Sequence, residues 1–241
     1  MRGVALADVP YIWLKAGVSK RAGEQGAVES VATIFRMLGC LMVAALFTLP
    51  AEARTLNIVA FGDSLTAGLG LAPGEAYPDR LQEALRAAGR DVSIANAGVS
   101  GDTASAAQAR VDWSVPEGTD GVILVLGGND ILRGIDPAVT RKALSAILAR
   151  LQERGIPVLL AGMRAPANLG AEYAKAFDAI YPDLARDYDV VFMPFFLEGV
   201  ATDPRFNQSD GIHPSEAGVA AIVRNLLPYA AELIERVEKS G

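Results

Sequence analysis

From Arg54 onward, apolar runs alternate with stretches in which hydrophobic residues recur every three or four positions. The runs Leu56–Phe61, Val92–Asn96, Gly121–Leu126, Val158–Met163 and Val190–Met193 read as strands, and four of the five are rich in Val, Ile or Leu, as strands covered on both faces are. Helical periodicity fits Tyr77–Ala88, Thr103–Val111, Pro137–Arg154, Ala171–Asp187 and a closing Glu216–Lys239. Asp136-Pro137 has the form of an N-cap followed by proline at the first helical position, and Gly89 and Gly155 stand where helices end. Strict alternation of strand and helix predicts a parallel sheet with right-handed crossovers. The expected fold class is α/β: a three-layer α/β/α sandwich around a five-stranded, flavodoxin-like parallel sheet. No linker divides it, so residues 54–241 are expected to form a single domain.

The first 53 residues do not share this pattern. Leu38–Leu49 is apolar, uncharged and about a dozen residues long, short for a bilayer span. Arg36 precedes it, and Pro50 and the small-residue site Ala51-Glu52-Ala53 follow it. This is the form of a secretory signal peptide cleaved after Ala53, which predicts a periplasmic or secreted product with no stable membrane anchor after cleavage. A buried helix or an uncleaved anchor is the bland alternative. The segment ahead of it is long for a leader, so translation is expected to start downstream, at Met37 or nearby.

Composition narrows the function. The net charge is -6, with no basic run, which excludes a nucleic-acid reader. One cysteine, Cys40, and one histidine, His213, exclude an internal disulfide and a Cys/His metal site. Any imidazole chemistry therefore falls to His213.

Candidate chemistry collects after successive strands, where ligands bind in open α/β sheets. The first strand ends in Gly62-Asp63-Ser64-Leu65, the second in a loop from Asn96 to Thr103, the third in Gly127-Gly128-Asn129-Asp130. Asp210-Gly211-Ile212-His213-Pro214 follows the fifth. Ser64 is either a nucleophile or the N-cap of the next helix. His213 is placed to act as its base and Asp210, three residues earlier, to orient the ring. The Asn129 side-chain amide and the Gly98 backbone N–H are candidate oxyanion donors, alongside the Ser64 N–H. Gly62 is expected to permit a sharp turn, Asp63 to shape the loop, and Asp130 to be an N-cap or loop residue. No G-x-x-x-x-G-K-[ST] and no G-x-S-x-G occurs, so neither a phosphate loop nor the usual α/β-hydrolase elbow is present.

These four blocks resemble the G-D-S-L, or SGNH, hydrolases: Ser64, Gly98, Asn129 and His213 fall in the family's order, with Asp210 as the acid of D-x-x-H. Gly127–Gly134, Arg164–Gly170, Ala179–Pro182 and Pro194–Glu198 resemble its bacterial periplasmic branch of acyl-CoA thioesterases, lysophospholipases and arylesterases. The resemblance implies a Ser-His-Asp esterase acting on small acyl esters and thioesters through an acyl-enzyme. It implies no metal or cofactor, no nucleic acid and a monomer. Asp63, Leu65, Ile131, Leu132, Ala165, Pro166 and Ile212 are the candidates for the substrate pocket. Ala165 stands where that branch has a larger apolar residue, which bears on acyl-chain length. A carbohydrate O-acetyl esterase would use the same residues.

Overall fold

In the computed structural model, residues 54–240 are described; the expectations for the leader, for Cys40 and for the translation start lie outside them. Strands β1 (Leu56–Gly62), β2 (Val92–Gly98), β3 (Gly121–Val125), β4 (Val158–Ala161) and β5 (Val191–Met193) form one parallel sheet in the order β2-β1-β3-β4-β5. That is the expected flavodoxin-like order. β3 and β4 are buried along their whole length, which is why they are nearly continuous apolar runs.

The helices are α1 (Ser64–Ala67), α2 (Tyr77–Ala87), α3 (Ala104–Gln108), α4 (Val111–Ser114), α5 (Gly128–Leu132), α6 (Pro137–Glu153), α7 (Ala171–Asp178), α8 (Ile180–Tyr188) and α9 (Glu216–Ser240). The core joins Phe61, Ile123 and Leu124 of the sheet to Leu81, Leu144 and Ile147 on helices, and to Leu226 and Leu233 of α9. α6 starts as its sequence indicates, with the Asp136 carboxylate accepting from the Ala138 N–H ahead of Pro137.

Two expected helices are each divided. Ala171–Asp187 breaks at Ala179 into α7 and α8. Pro182 lacks the N–H that would bond back to Asp178, so the ladder is interrupted there. Thr103–Val111 becomes α3 and α4, parted at Ala109–Arg110. The Arg110 guanidinium turns inward at that point, donating to the Gly62 carbonyl at 2.9 Å, the Ala97 carbonyl at 3.0 Å and the Asp102 carboxylate at 2.6 Å. It also lies over the Phe61 ring, 4.5 Å from its centre. One half-buried cation thus ties the carboxyl ends of β1 and β2 together.

Candidate active site

β1 and β2 run in register to their last residues, Gly62 beside Gly98. The chain leaves β1 through Asp63 directly into α1. The Asp63 carboxylate accepts from the Leu65 N–H at 3.0 Å and is the N-cap, so Ser64 is the first helical residue and not the cap. The chain turns from β1 into α1 within one residue, and Gly62 makes that turn without a positive φ. Glycine is needed there because a Cβ would collide with the Thr66 hydroxyl and lie 2.5 Å from the Val125 carbonyl oxygen.

His213 reaches Ser64 across 149 residues of chain: its Nε2 lies 2.9 Å from Ser64 Oγ. Its Nδ1 lies 2.6 Å from Asp210 Oδ2. Asp210 Oδ1 accepts from the Ile212 and His213 N–H groups at 2.9 and 3.0 Å, a tight turn that Gly211 closes at φ 69°. These bonds, that with the His213 ring foremost, hold the Asp210 carboxyl down at about 2. The loop is anchored behind the pair. Asn207 bridges to Pro214, and its amide donates to the Val200 and Asp203 carbonyls at 2.7 and 2.8 Å. Gln208 donates to the Leu69 carbonyl at 2.8 Å, fastening the loop to the segment that follows Ser64.

Asn129, in α5, faces the same place. Its amide donates one hydrogen to Asp63 Oδ2 at 3.3 Å, which leaves the second N–H for a ligand. Gly127 brings the chain in at φ 112°, where a Cβ would strike the Tyr181 hydroxyl. That hydroxyl donates to the Leu126 carbonyl at 2.9 Å.

The sequence profile of the GDSL-like lipase/acylhydrolase family matches residues 60–221. The chain belongs to this family. Esterase TesA of Pseudomonas aeruginosa is 36% identical over 197 residues, 81% of this chain and 96% of that protein. Thioesterase 1/protease 1/lysophospholipase L1 of Escherichia coli is 41% identical over 166 residues, 68% of this chain and 77% of that protein. Among solved structures, the SGNH-hydrolase family esterase AlinE4 matches with a TM-score of 0.64 at 49% identity, covering 76% of this chain and 98% of its own. TesA matches with a TM-score of 0.69 at 36% identity, covering 75% and 99%.

Within this GDSL-like site the backbone donors differ from expectation. The Gly98 N–H is donated to Asn96 Oδ1 at 3.0 Å, and Asn96 in turn donates to the Thr66 carbonyl at 2.8 Å. Glycine is required at 98 because α1 lies against it; a Cβ would run into the Ala67 backbone nitrogen. The Ser64 N–H, by contrast, has no hydrogen-bond partner among the described residues, and neither does that of Gly101, at φ 87° in the loop beyond β2. Arg133 of the Asn129 loop donates to the Gly101 carbonyl at 2.7 Å, which holds Gly101 beside α5.

The two aspartates also differ. Asp63 is 1% exposed, so it lies beneath the site and is not a wall of the pocket. Burial pushes its carboxyl up to about 6. Asp130 caps nothing in its own loop. It is fully buried and accepts from the Ala104 N–H, at the start of α3, and from the Thr140 hydroxyl of α6, both at 2.9 Å. It fixes the Asn129 loop to two neighbouring helices.

Of the remaining pocket candidates, Leu65, Ile131 and Ala165 are half-buried and pack against the core. Leu132, Ile212 and Pro166 are exposed. A cavity of about 390 Å³ opens beside the Asp210 loop, lined by Thr202, Asp203, Pro204, Asn207, Gln208, Ser209 and Gly211, and it includes neither Ser64 nor Asn129. Sequence reasoning missed Asn96, Arg110 and Gln208, which bond to backbone 30 to 139 residues away, and Asn207, which pins its own loop from within; none carries a local signature.

Proposed function

We propose that this chain is a serine esterase, hydrolysing carboxylic esters and thioesters through an acyl-enzyme on Ser64. The observation that carries this reading is the unbroken line from Asp210 through His213 to Ser64, at 2.6 and 2.9 Å. His213 Nε2 takes the hydroxyl proton as Ser64 Oγ attacks the acyl carbonyl, and returns it to the departing alcohol or thiol. Water then attacks the acyl-enzyme with His213 again as base, freeing the acid and Ser64. Asp210 fixes the ring tautomer and stabilises the imidazolium. Its carboxyl, held at about 2, stays anionic throughout the range in which an imidazole can serve as base.

Three donors receive the oxyanion in this reading: the Ser64 N–H, the free Asn129 amide hydrogen and a backbone N–H of the β2 loop. Gly101 fits the third place better than Gly98, because its N–H is uncommitted whereas that of Gly98 is held by Asn96. Kinship with an esterase, an arylesterase and a thioesterase/lysophospholipase supports acyl esters and thioesters as the substrate class. Residues 54–241 would act as one monomeric domain, exported by a leader that is cleaved after Ala53.

Hydrolysis of p-nitrophenyl acetate and p-nitrophenyl decanoate by the wild type and Ser64→Ala tests the mechanism. The variant should lose several orders of magnitude in rate; activity within about tenfold of wild type would exclude Ser64 as nucleophile, since loss of a triad member costs far more.

A further inference from the structure

Among the described residues seven large hydrophobic side chains stay exposed, and five of them, Leu69, Val99, Leu132, Leu169 and Ile212, at 38% to 62%, share one pattern. Each follows a different strand of the parallel sheet: β1, β2, β3, β4 and β5 in turn. All therefore stand in the connections that leave the carboxyl edge of the sheet, the edge at which Ser64 lies. Further contacts fix several of them there. The Val99 N–H bonds the Gly62 carbonyl at 3.0 Å, and the Leu69 carbonyl receives Gln208 of the His213 loop at 2.8 Å. Leu132 shares a helix with Asn129, and Ile212 adjoins His213. Two exposed hydrophobics are not part of this set: Trp113, on the return toward β3, and Val139, in the first turn of α6.

We infer that this apolar rim docks on the surface of aggregated zwitterionic lipid, with Ser64 at the centre of the contact. The inference rests on the esterase reading, in which long-chain acyl substrates are presented in micelles or bilayers. A rim of apolar side chains around a polar site is the form of a surface that sinks into the headgroup boundary. Charge selects the kind of surface. The chain carries a net charge of -6, which opposes an anionic bilayer. The rim itself holds both signs, with Arg164 3.5 Å from Glu198, Asp210 bound to His213, and Arg133. Arg133 has no carboxylate partner among the described residues and spends one bond on the Gly101 carbonyl, so it keeps N–H groups for a headgroup phosphate. Balanced charges around apolar side chains match a zwitterionic layer and give a one-signed protein partner no field to read.

The test compares the full chain with Leu69→Gln/Leu169→Gln, two positions outside the catalytic and pocket residues. Both proteins carry residues 1–53, so a difference between them reports the rim. In a Ser64→Ala background, which leaves lipid intact, the parent should float with phosphatidylcholine vesicles and the double variant about tenfold less, with little effect of added salt. In the active protein, the double variant should lose a similar factor on lysophosphatidylcholine micelles and stay within about twofold of the parent on soluble p-nitrophenyl acetate. Equal flotation of the two proteins overturns the inference. So does binding that requires phosphatidylglycerol, an equal loss on both substrates, or a parent dimer in sedimentation that the variant lacks, which would make the rim a self-contact. Flotation does not depend on turnover, so absence of activity toward p-nitrophenyl acetate would sink the esterase reading and leave the docking result standing.

Discussion

A buried carboxylate with no cation beside it costs stability, and Asp63 is such a group. Its partners are the Leu65 N–H and the Asn129 amide, both neutral. With its carboxyl raised from 3.8 to about 6 by burial, the folded state holds the proton more tightly than the unfolded chain. Stability from this group is fully present below pH 3.8 and is lost as pH rises through about 6, a span on the order of 3 kcal/mol. Asp63→Asn removes the titration. Urea unfolding of both proteins at pH 4 and pH 7.5 should show the variant gaining on the wild type at the higher pH; a constant difference would refute the assignment. The same substitution sets an amide hydrogen against Asn129 or Leu65, so it should cost activity even where it adds stability. Asn129→Ala takes away the side-chain oxyanion donor, and kcat should fall by about 10²–10³ with KM little changed, measured by steady-state ester hydrolysis.

At the scale of elements, the site is a set of strand ends held in step. Arg110 holds β1 and β2 together by bonding the Gly62 and Ala97 carbonyls and the Asp102 carboxylate. Lysine carries the charge on one nitrogen and cannot reach three acceptors in a fixed fork. Arg110→Lys should therefore destabilise by about 3 kcal/mol, read from chemical unfolding, because buried acceptors lose their donor. The five strands and their order were legible in the sequence, since buried parallel strands leave apolar runs and the alternation with helices fixes the crossovers. Asp210 and His213 were legible as a pair because they meet through a four-residue turn. Arg110 was not: it sits in an alanine-rich helical stretch, and its partners lie 13 and 48 residues away. Gly62 and Gly98 were recognised as special, but not for the close approach of α1 that demands glycine at both. A missing side chain can serve a turn, a ligand or a neighbouring backbone, and only the position of α1 decides that here it serves the backbone.

At the scale of the molecule, export and folding are separate problems. The proposed leader ends where the first described residue, Arg54, pairs with Asp120 at 2.7 Å, and Asp120 also receives the Asn57 N–H. A secreted product should begin at Arg54 by N-terminal sequencing; a mature chain that retains residues before Leu38 would reject both the cleavage site and the downstream start. The reactive centre divides unevenly along the chain. Acid and base share one short loop and can meet as soon as that loop turns, whereas the serine lies 149 residues away, at the start of α1. Catalytic power thus hangs on one long-distance closure, made only when the segment ahead of α9 settles against α1 and the chain just after it. During refolding, the return of ester hydrolysis should lag behind the recovery of helical signal, which makes turnover a clock for the last native contact to form.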